Sequence, residues 1–392
     1  MKKVVHFGPG NIGLGFFGQI YYESGYEIVF VGRNREKIDL LNSYGEYPLM
    51  LSGADGNVRE MLVKNVRAIE YLDEDNLKEE ISSADLISTS VGPANLADIA
   101  GPLARGLMAR WAAKNFSPVN VLLGENMVDT DKYFTGLVEK ELGDPDLIRI
   151  FRETVGIVDT SVERLVPVTT EEMREGHPLR TWASDSLRFP VDKDAFRGEI
   201  PPLKYMMLTT NFEFYKKRKI FVFNSGHSTM AYLGHVKGYD HMSQAYRDAA
   251  IVHAAYHAML ESASALCREF QVPPQETVDR IKERLNYWGN LDDEITRVGR
   301  DPLRKLSDNE RFIGGAKLAV KHGMVPLYLC LAAGAALHFD SKDDASCQRM
   351  RKMVAEGGPQ SVLREVSKID EGSRLWQVIM GFYNLLEKRK IL

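Results

Sequence analysis

The chain has 392 residues, two to three times the roughly 150 of a typical domain, so two domains are expected. Hydrophobic residues make up 44% and charged residues 27%, and 50 Lys+Arg against 54 Asp+Glu leave a formal charge of -4. That balance excludes a nucleic-acid binder held by overall basicity, and an acidic disordered tail. Cys267, Cys330 and Cys347 are far apart and form no CxxC, so neither a disulfide scaffold nor a Cys-rich zinc site is expected. Reduced thiols fit a cytoplasmic protein. No apolar stretch reaches the ~20 residues of a membrane span. The run after Met1-Lys2-Lys3 breaks on glycines beyond Phe7, too soon for a signal peptide.

In chain order, Lys3 to Phe7 reads as a buried strand, followed by a glycine-rich turn and an apolar-periodic helix from Ile12 to Tyr22. Glu27 to Val31 is a second strand and Arg35 to Leu41 a second helix. Asp85 to Ser88 and Val119 to Leu123 are strand-like, with the helical run Leu96 to Ala113 between them. Strands and helices alternating at this spacing predict a parallel sheet covered on both faces. The segment from about 170 to 203 is rich in turn formers and reads as an inter-domain connection. Beyond it, apolar residues at three- and four-residue spacing predict helices over Ser243 to Phe270, Glu276 to Asn286, Arg311 to Lys321, Leu327 to Phe339 and Trp376 to Arg389.

Gly8-Pro9-Gly10-Asn11-Ile12-Gly13 matches GxGxxG between a predicted strand and a predicted helix. Gly8 permits the tight turn, Gly10 lets backbone amides approach a pyrophosphate, and Gly13 lets the helix lie close on the strand. The free amides of the helix start, at Asn11, Ile12 and Gly13, then face the phosphates. The expectation is an α/β Rossmann-type dinucleotide-binding domain over residues 1–195, followed by a mostly α-helical substrate domain over 196–392. The second strand of such domains commonly ends in an acidic residue that holds the adenosine ribose of NAD. Gly32 occupies that position and Arg33 follows, so NAD(H) and NADP(H) both stay open, with Arg33 raising the second.

Lys219, Asn224 and His227 form K-x4-N-x2-H. On an α-helix, offsets of five and eight place the three within an arc of ~140°, whereas a strand would put Lys219 and Asn224 on opposite faces. A lysine whose charge is disfavoured by burial can take a proton from an alcohol. Asn224 and His227 would then hold the reacting oxygen by hydrogen bonds. Residue types alone leave a solvated basic face and a satisfied core histidine as alternatives. His253 and His257 stand four apart, but no HExxH glutamate accompanies them, and a packed helix face is the better reading.

Phe7 to Gly13, Gly124-Glu-Asn126, Asp159 to Pro167, Lys219 to His227, Ala231-Tyr-Leu-Gly234 and Arg297 to Ser307 occur in this order. Together they resemble the polyol-specific long-chain dehydrogenases and reductases, over essentially the whole chain. The resemblance implies oxidation of a secondary alcohol of a linear polyol, with hydride passed to a nicotinamide and no metal. It implies Lys219 as general base, Asn224 and His227 as its partners, and Asn126 as a further donor to the reacting oxygen. It implies substrate contact by Glu163, and a turn beside the nicotinamide ribose at Ser90, Val91 and Gly92. Arg297, Arg300, Arg304, Lys305 and Arg311 gather five cations within fifteen residues, and a phosphate monoester is well matched to arginine. Arg300, Arg304 and Lys305 are therefore candidate ligands of a substrate phosphate. A solvated stretch neutralising Asp292, Asp293 and Glu294 is the alternative. The reaction that the resemblance implies is the interconversion of D-mannitol 1-phosphate and D-fructose 6-phosphate, and a monomer or small homo-oligomer is expected. The alternatives are an unphosphorylated polyol or hexuronate substrate, and a nucleotide-sensing protein without catalysis.

Overall fold

The computed structural model describes residues 1–53, 55–127, 129–288 and 293–388. It divides into two compact units, Met1–Phe212 and Glu213–Leu392. Asp292 and Arg389 lie outside the described residues.

The strands of the first unit are β1 (Lys2–Phe7), β2 (Tyr26–Gly32), β3 (Glu46–Ser52), β4 (Val58–Lys64), β5 (Val66–Glu70), β6 (Leu86–Thr89), β7 (Val119–Leu123), β8 (Val155–Asp159), β9 (Thr181–Ser184), β10 (Phe189–Asp192) and β11 (Met206–Thr209). Six of them form one sheet in the order β5-β2-β1-β6-β7-β8, with every pair parallel. Counted within the sheet this is the order 3-2-1-4-5-6 of a Rossmann fold, whose switch point lies between β1 and β6. Alternate side chains serve opposite faces. Val4, Ile28 and Phe30 join one buried cluster with Phe16, Phe17 and Ile20. Val5, Val29 and Val31 join another with Leu103, Leu107 and Phe134. Burial on both faces is why these strands read as continuous apolar runs rather than alternating ones.

Residues 170–203 are not a connection. β9 pairs in parallel with β3, which pairs antiparallel with β4. β10 pairs in parallel with β11. The chain therefore completes a ladder at Met206–Thr209 before it leaves the first unit, which moves the boundary from 195 to 212. The helix expected over Ile12 to Tyr22 begins at Asn11, widens into a π-turn over Gly13–Phe17 and continues as an α-helix, Gly18–Glu23.

In the second unit the described elements are all helical. A continuous run passes from Phe212–Lys217 through a π-turn, Arg218–Asn224, into Ser225–Val236. It packs on the 21-residue helix Ala249–Glu269, which also meets Ile313–Lys321 and Leu327–Ala336. A Cβ on Gly226 would lie 2.4 Å from Met259 Sδ, so the two helices approach at a point only glycine allows. The single helix expected from 243 to 270 is two, Met242–Arg247 and Ala249–Glu269. Asp248 breaks it by taking an extended conformation and accepting hydrogen bonds from the amides of Ala250 and Ile251.

His6 lies at the centre of the first unit, fully buried in β1 between Ser88 Oγ (2.7 Å) and Ser90 Oγ (2.8 Å). Burial pushes its pKa down to about 3. The unfolded chain, with an ordinary histidine, binds this proton from about pH 6.5 downward while the folded unit does not. Stability present above pH 6.5 is therefore lost as pH falls toward 3, by up to ~1.4 kcal/mol per pH unit. Chemical denaturation between pH 7 and 4.5 should show that slope, and His6→Asn should flatten it while lowering stability throughout.

Candidate functional site

A cavity of about 300 Å³ opens at the carboxyl ends of β1, β2 and β6. Phe7, Gly8, Pro9, Gly10, Ser90 and Val91 line its inner part, and Gly32, Arg33, Lys37 and Tyr71 its outer part. Gly8 has φ +104°, and a Cβ there would stand 2.7 Å from the Ser90 carbonyl oxygen. A Cβ on Gly13 would lie 2.0 Å from the Gly8 carbonyl oxygen. Gly10 differs, since a Cβ on it would meet nothing within 4 Å, and the space beside its backbone is open to a ligand. A closed turn below and an open cradle above suit a dinucleotide pyrophosphate. Of the residues expected here, Gly8, Gly10, Arg33, Ser90 and Val91 line the cavity. Asn11, Ile12, Gly13 and Gly92 do not line it: Gly13 is buried under the turn, and Gly92, at φ +86°, bends the loop toward Pro93–Asn95.

Two buried charged residues that sequence reasoning passed over shape this crevice. Glu125 accepts hydrogen bonds from Thr89 Oγ1 (2.5 Å) and the Val91 amide (2.9 Å), and so ties the end of β7 to the loop after β6. Burial raises its pKa, opposed by those bonds. Its neighbour Asn126, the expected donor, is exposed. Arg164 donates from Nη1 to the Gly15 carbonyl (2.9 Å) and Gln19 Oε1 (2.8 Å), and from Nε to the Ser184 carbonyl (2.6 Å). Desolvation lowers its pKa to about 10. It anchors the segment after β8 under the helix of the glycine turn. Glu163 beside it is fully buried. The signal for both was an acid or arginine inside a strand-end motif.

In the second unit Lys219 and Asn224 share the π-turn, and His227 comes one turn later. A π-turn closes hydrogen bonds from i to i+5. It therefore stacks two residues five apart more nearly above one another than an α-helix does. Lys219, Asn224 and His227 are all half-buried. The His227 ring stacks on Trp288 (centroids 5.1 Å apart), and its Nε2 meets Tyr246 Oη at 3.0 Å. Desolvation, and then the charges of Lys305, Arg297, Arg311 and Arg284, push its pKa down to about 3. At neutral pH it is an uncharged imidazole, with one donor and one acceptor. Arg218, next to Lys219, is fully buried among Phe214, Tyr215 and Phe223 and pairs with Glu276 at 3.2 Å. It holds the π-turn in place.

The basic stretch is differentiated rather than a uniform ligand set. Arg304 is paired with Asp301 (2.7 Å) and Glu310 (2.9 Å). Lys305 is buried, donates to the Val298 carbonyl and lies 5.6 Å from the Tyr232 ring centroid. Arg311 is buried against Glu310 (3.0 Å) and Ser228 Oγ (3.0 Å). Arg297 pairs with Asp293. Arg300 is exposed and makes no ion pair among the described residues.

The His253 and His257 rings lie 4.3 Å apart and tilted on the helix Ala249–Glu269, with His253 Nε2 at 3.2 Å from Tyr328 Oη. Among the described residues no group of three or more His, Cys, Asp or Glu is placed to hold a metal ion. Among the same residues no helix is long and apolar enough to cross a membrane.

Residues 2–204 match the mannitol dehydrogenase Rossmann domain and residues 211–386 the mannitol dehydrogenase C-terminal domain. The chain is 33% identical over 391 residues to a mannitol-1-phosphate 5-dehydrogenase of Thermoanaerobacter pseudethanolicus, covering 99% of both chains. It is 32% identical to one of Caldanaerobacter subterraneus subsp. tengcongensis, covering all of both. Two solved structures share the fold. The first is a D-sorbitol dehydrogenase in substrate-free form (TM-score 0.81, 16% identity, 98% of this chain and 93% of that one). The second is Pseudomonas fluorescens mannitol 2-dehydrogenase in a ternary complex with NAD and D-mannitol (TM-score 0.79, 14% identity, 99% and 92%). With its parallel-sheet first unit, its helical second unit and both halves of its sequence matched, the chain belongs to the mannitol dehydrogenase family, whose members are nicotinamide-dependent polyol dehydrogenases.

Proposed function

We propose that the chain interconverts D-mannitol 1-phosphate and D-fructose 6-phosphate with NAD(H) or NADP(H). The observation that carries this reading is the helical run that carries Lys219, Asn224 and His227, with the His227 ring stacked on Trp288 and its Nε2 at 3.0 Å from Tyr246 Oη. An uncharged imidazole sits on the same helical run as Lys219 and Asn224, in the field of Lys305, Arg297, Arg311 and Arg284. The run supplies what alcohol chemistry needs, and the field suits an anionic substrate. The relatives at 33% and 32% identity are both mannitol-1-phosphate 5-dehydrogenases.

Gly8, Gly10, Ser90 and Val91 would hold the dinucleotide, which supplies the hydride acceptor in oxidation and the donor in reduction. Lys219 Nζ, as a neutral amine, takes the proton of the C5 hydroxyl as the carbon is oxidised, and returns it in reduction. Asn224 donates from its amide to the same oxygen. His227, with Tyr246 fixing its ring, donates a second hydrogen bond as negative charge develops there. Asn126 and Glu163 are further substrate contacts in this reading. Among the cations, Arg300 binds the phosphate directly, Arg304, held by Asp301 and Glu310, supplies field, and Lys305, whose charged form burial disfavours, stays tied to the Val298 carbonyl.

Lys219→Ala should lower kcat by at least ~10² while dinucleotide affinity, read by fluorescence titration, stays near wild type. Near-normal turnover in that variant would remove Lys219 from the chemistry. Turnover of D-fructose 6-phosphate, D-fructose and a keto-hexuronate, each with NADH and NADPH, tests the substrate. The phosphate ester should have the highest kcat/KM. Preference for either unphosphorylated sugar reassigns the substrate, and no turnover of any of them favours a nucleotide sensor.

A further inference from the structure

The outer end of the nucleotide cavity carries more information than the glycine turn. Gly32 ends β2, where an acidic side chain would accept the 2′-hydroxyl of the adenosine ribose. A Cβ there would stand 2.8 Å from Pro9 Cγ and 3.1 Å from Pro9 Cδ. Pro9 thus closes the position to a carboxylate, and the absence of one is built into the turn rather than left to one substitution.

The charged side chains lining this cavity are Arg33 and Lys37, with no carboxylate among the lining residues. The Arg33 guanidinium lies 4.8 Å from the Tyr71 ring centroid, with Nη2 at 2.5 Å from Asp98 Oδ2. Tyr71 Oη in turn donates to the Asp98 carbonyl at 2.5 Å. Stack and ion pair hold the guanidinium at the mouth of the cavity, with over half of the side chain still exposed. One of its nitrogens meets Asp98, and a guanidinium carries five N–H donors. Lys37, half-buried, donates to the Pro9 carbonyl at 3.3 Å. Burial, and then Arg174, disfavour its charged form, and an arriving dianion would restore it. Asp98 lies outside the lining and opposes a phosphate, but the charged side chains of the lining itself, Arg33 and Lys37, are both basic. A 2′-phosphate would relieve that excess, and a bare ribose hydroxyl would not.

We propose that this end of the crevice is a 2′-phosphate site formed by Arg33 and Lys37, so that the chain selects NADP(H) over NAD(H). The inference rests on the dinucleotide reading of the crevice and adds its specificity. Calorimetric titration of the wild-type chain with 2′,5′-ADP and with 5′-AMP measures it without catalysis. The 2′-phosphorylated ligand should bind at least ~10-fold more tightly, by the strength of charge-assisted hydrogen bonds. Arg33→Ala should abolish most of that difference while leaving 5′-AMP affinity within about twofold, and Arg33→Lys should keep part of it. Equal binding of the two ligands, or tighter binding of 5′-AMP, overturns the proposal. So does an Arg33→Ala variant that loses both affinities together, which would make Arg33 a structural residue. If 5′-AMP and NADH bind while the 2′-phosphate adds nothing, the phosphate site falls and the dehydrogenase stands. If neither nucleotide binds, both fall.

Discussion

The nucleotide crevice depends on one close approach, that of the turn after β1 to the loop after β6. Gly8 stands so near Ser90 that a Cβ would collide with its carbonyl oxygen, and Ser90 Oγ reaches back to the Gly8 carbonyl at 3.2 Å. The parallel sheet brings the two strand ends side by side, and the open cradle beside Gly10 exists because they meet there. Three buried polar groups support the contact. His6 bridges Ser88 and Ser90 from below, Glu125 clamps Thr89 and Val91 from β7, and Arg164 fastens the helix behind the turn. Each is costly to bury, and each makes in this geometry the hydrogen bonds that offset the cost.

Both units depart from the regular helix where their candidate site residues lie. The π-turn Gly13–Phe17 succeeds the glycine motif, and the π-turn Arg218–Asn224 carries Lys219 and Asn224. A widened turn inserts one residue into the helical count and rotates every later residue about the axis. In the first unit it lets Phe16 and Phe17 enter the buried cluster together, with rings edge to face at 5.1 Å. In the second it draws Lys219 and Asn224 toward one line along the axis, an alignment that α-helical spacing only approximates.

The sheet, its glycine turn and the helical second half were legible because period and turn chemistry are local signals. The extent of the first unit was not, because β10 and β11 are four-residue strands set among prolines, and only their pairing distinguishes them from a linker. Glu125 was hidden beside Asn126 for a related reason. A buried carboxylate and an exposed amide look equally functional in a string, and burial alone separates them. The basic stretch shows the same limit. Arg304 and Lys305 read as ligands by type, but their partners Glu310 and the Val298 carbonyl come close only in the folded loop, six and seven residues away along the chain. Lys219, Asn224 and His227 were legible as a spacing, though the π-turn that aligns two of them was not.

The second unit couples its charges in one further way. Lys305, Arg297, Arg311 and Arg284 disfavour a proton on His227, and burial disfavours it more. If Lys219, on the same helical run, is the proposed proton acceptor, a neutral imidazole is the better resting state, because an imidazolium would repel the ammonium that forms. In the proposed reaction a substrate phosphate on Arg300 would bring negative charge close to Arg297 and cancel part of that field at the ring. His227 can then carry a larger share of positive charge at the stage when the substrate oxygen becomes negative. In the proposed reaction, substrate charge would thus prepare the hydrogen bond that the reacting oxygen needs, a contribution that an unphosphorylated sugar could not make.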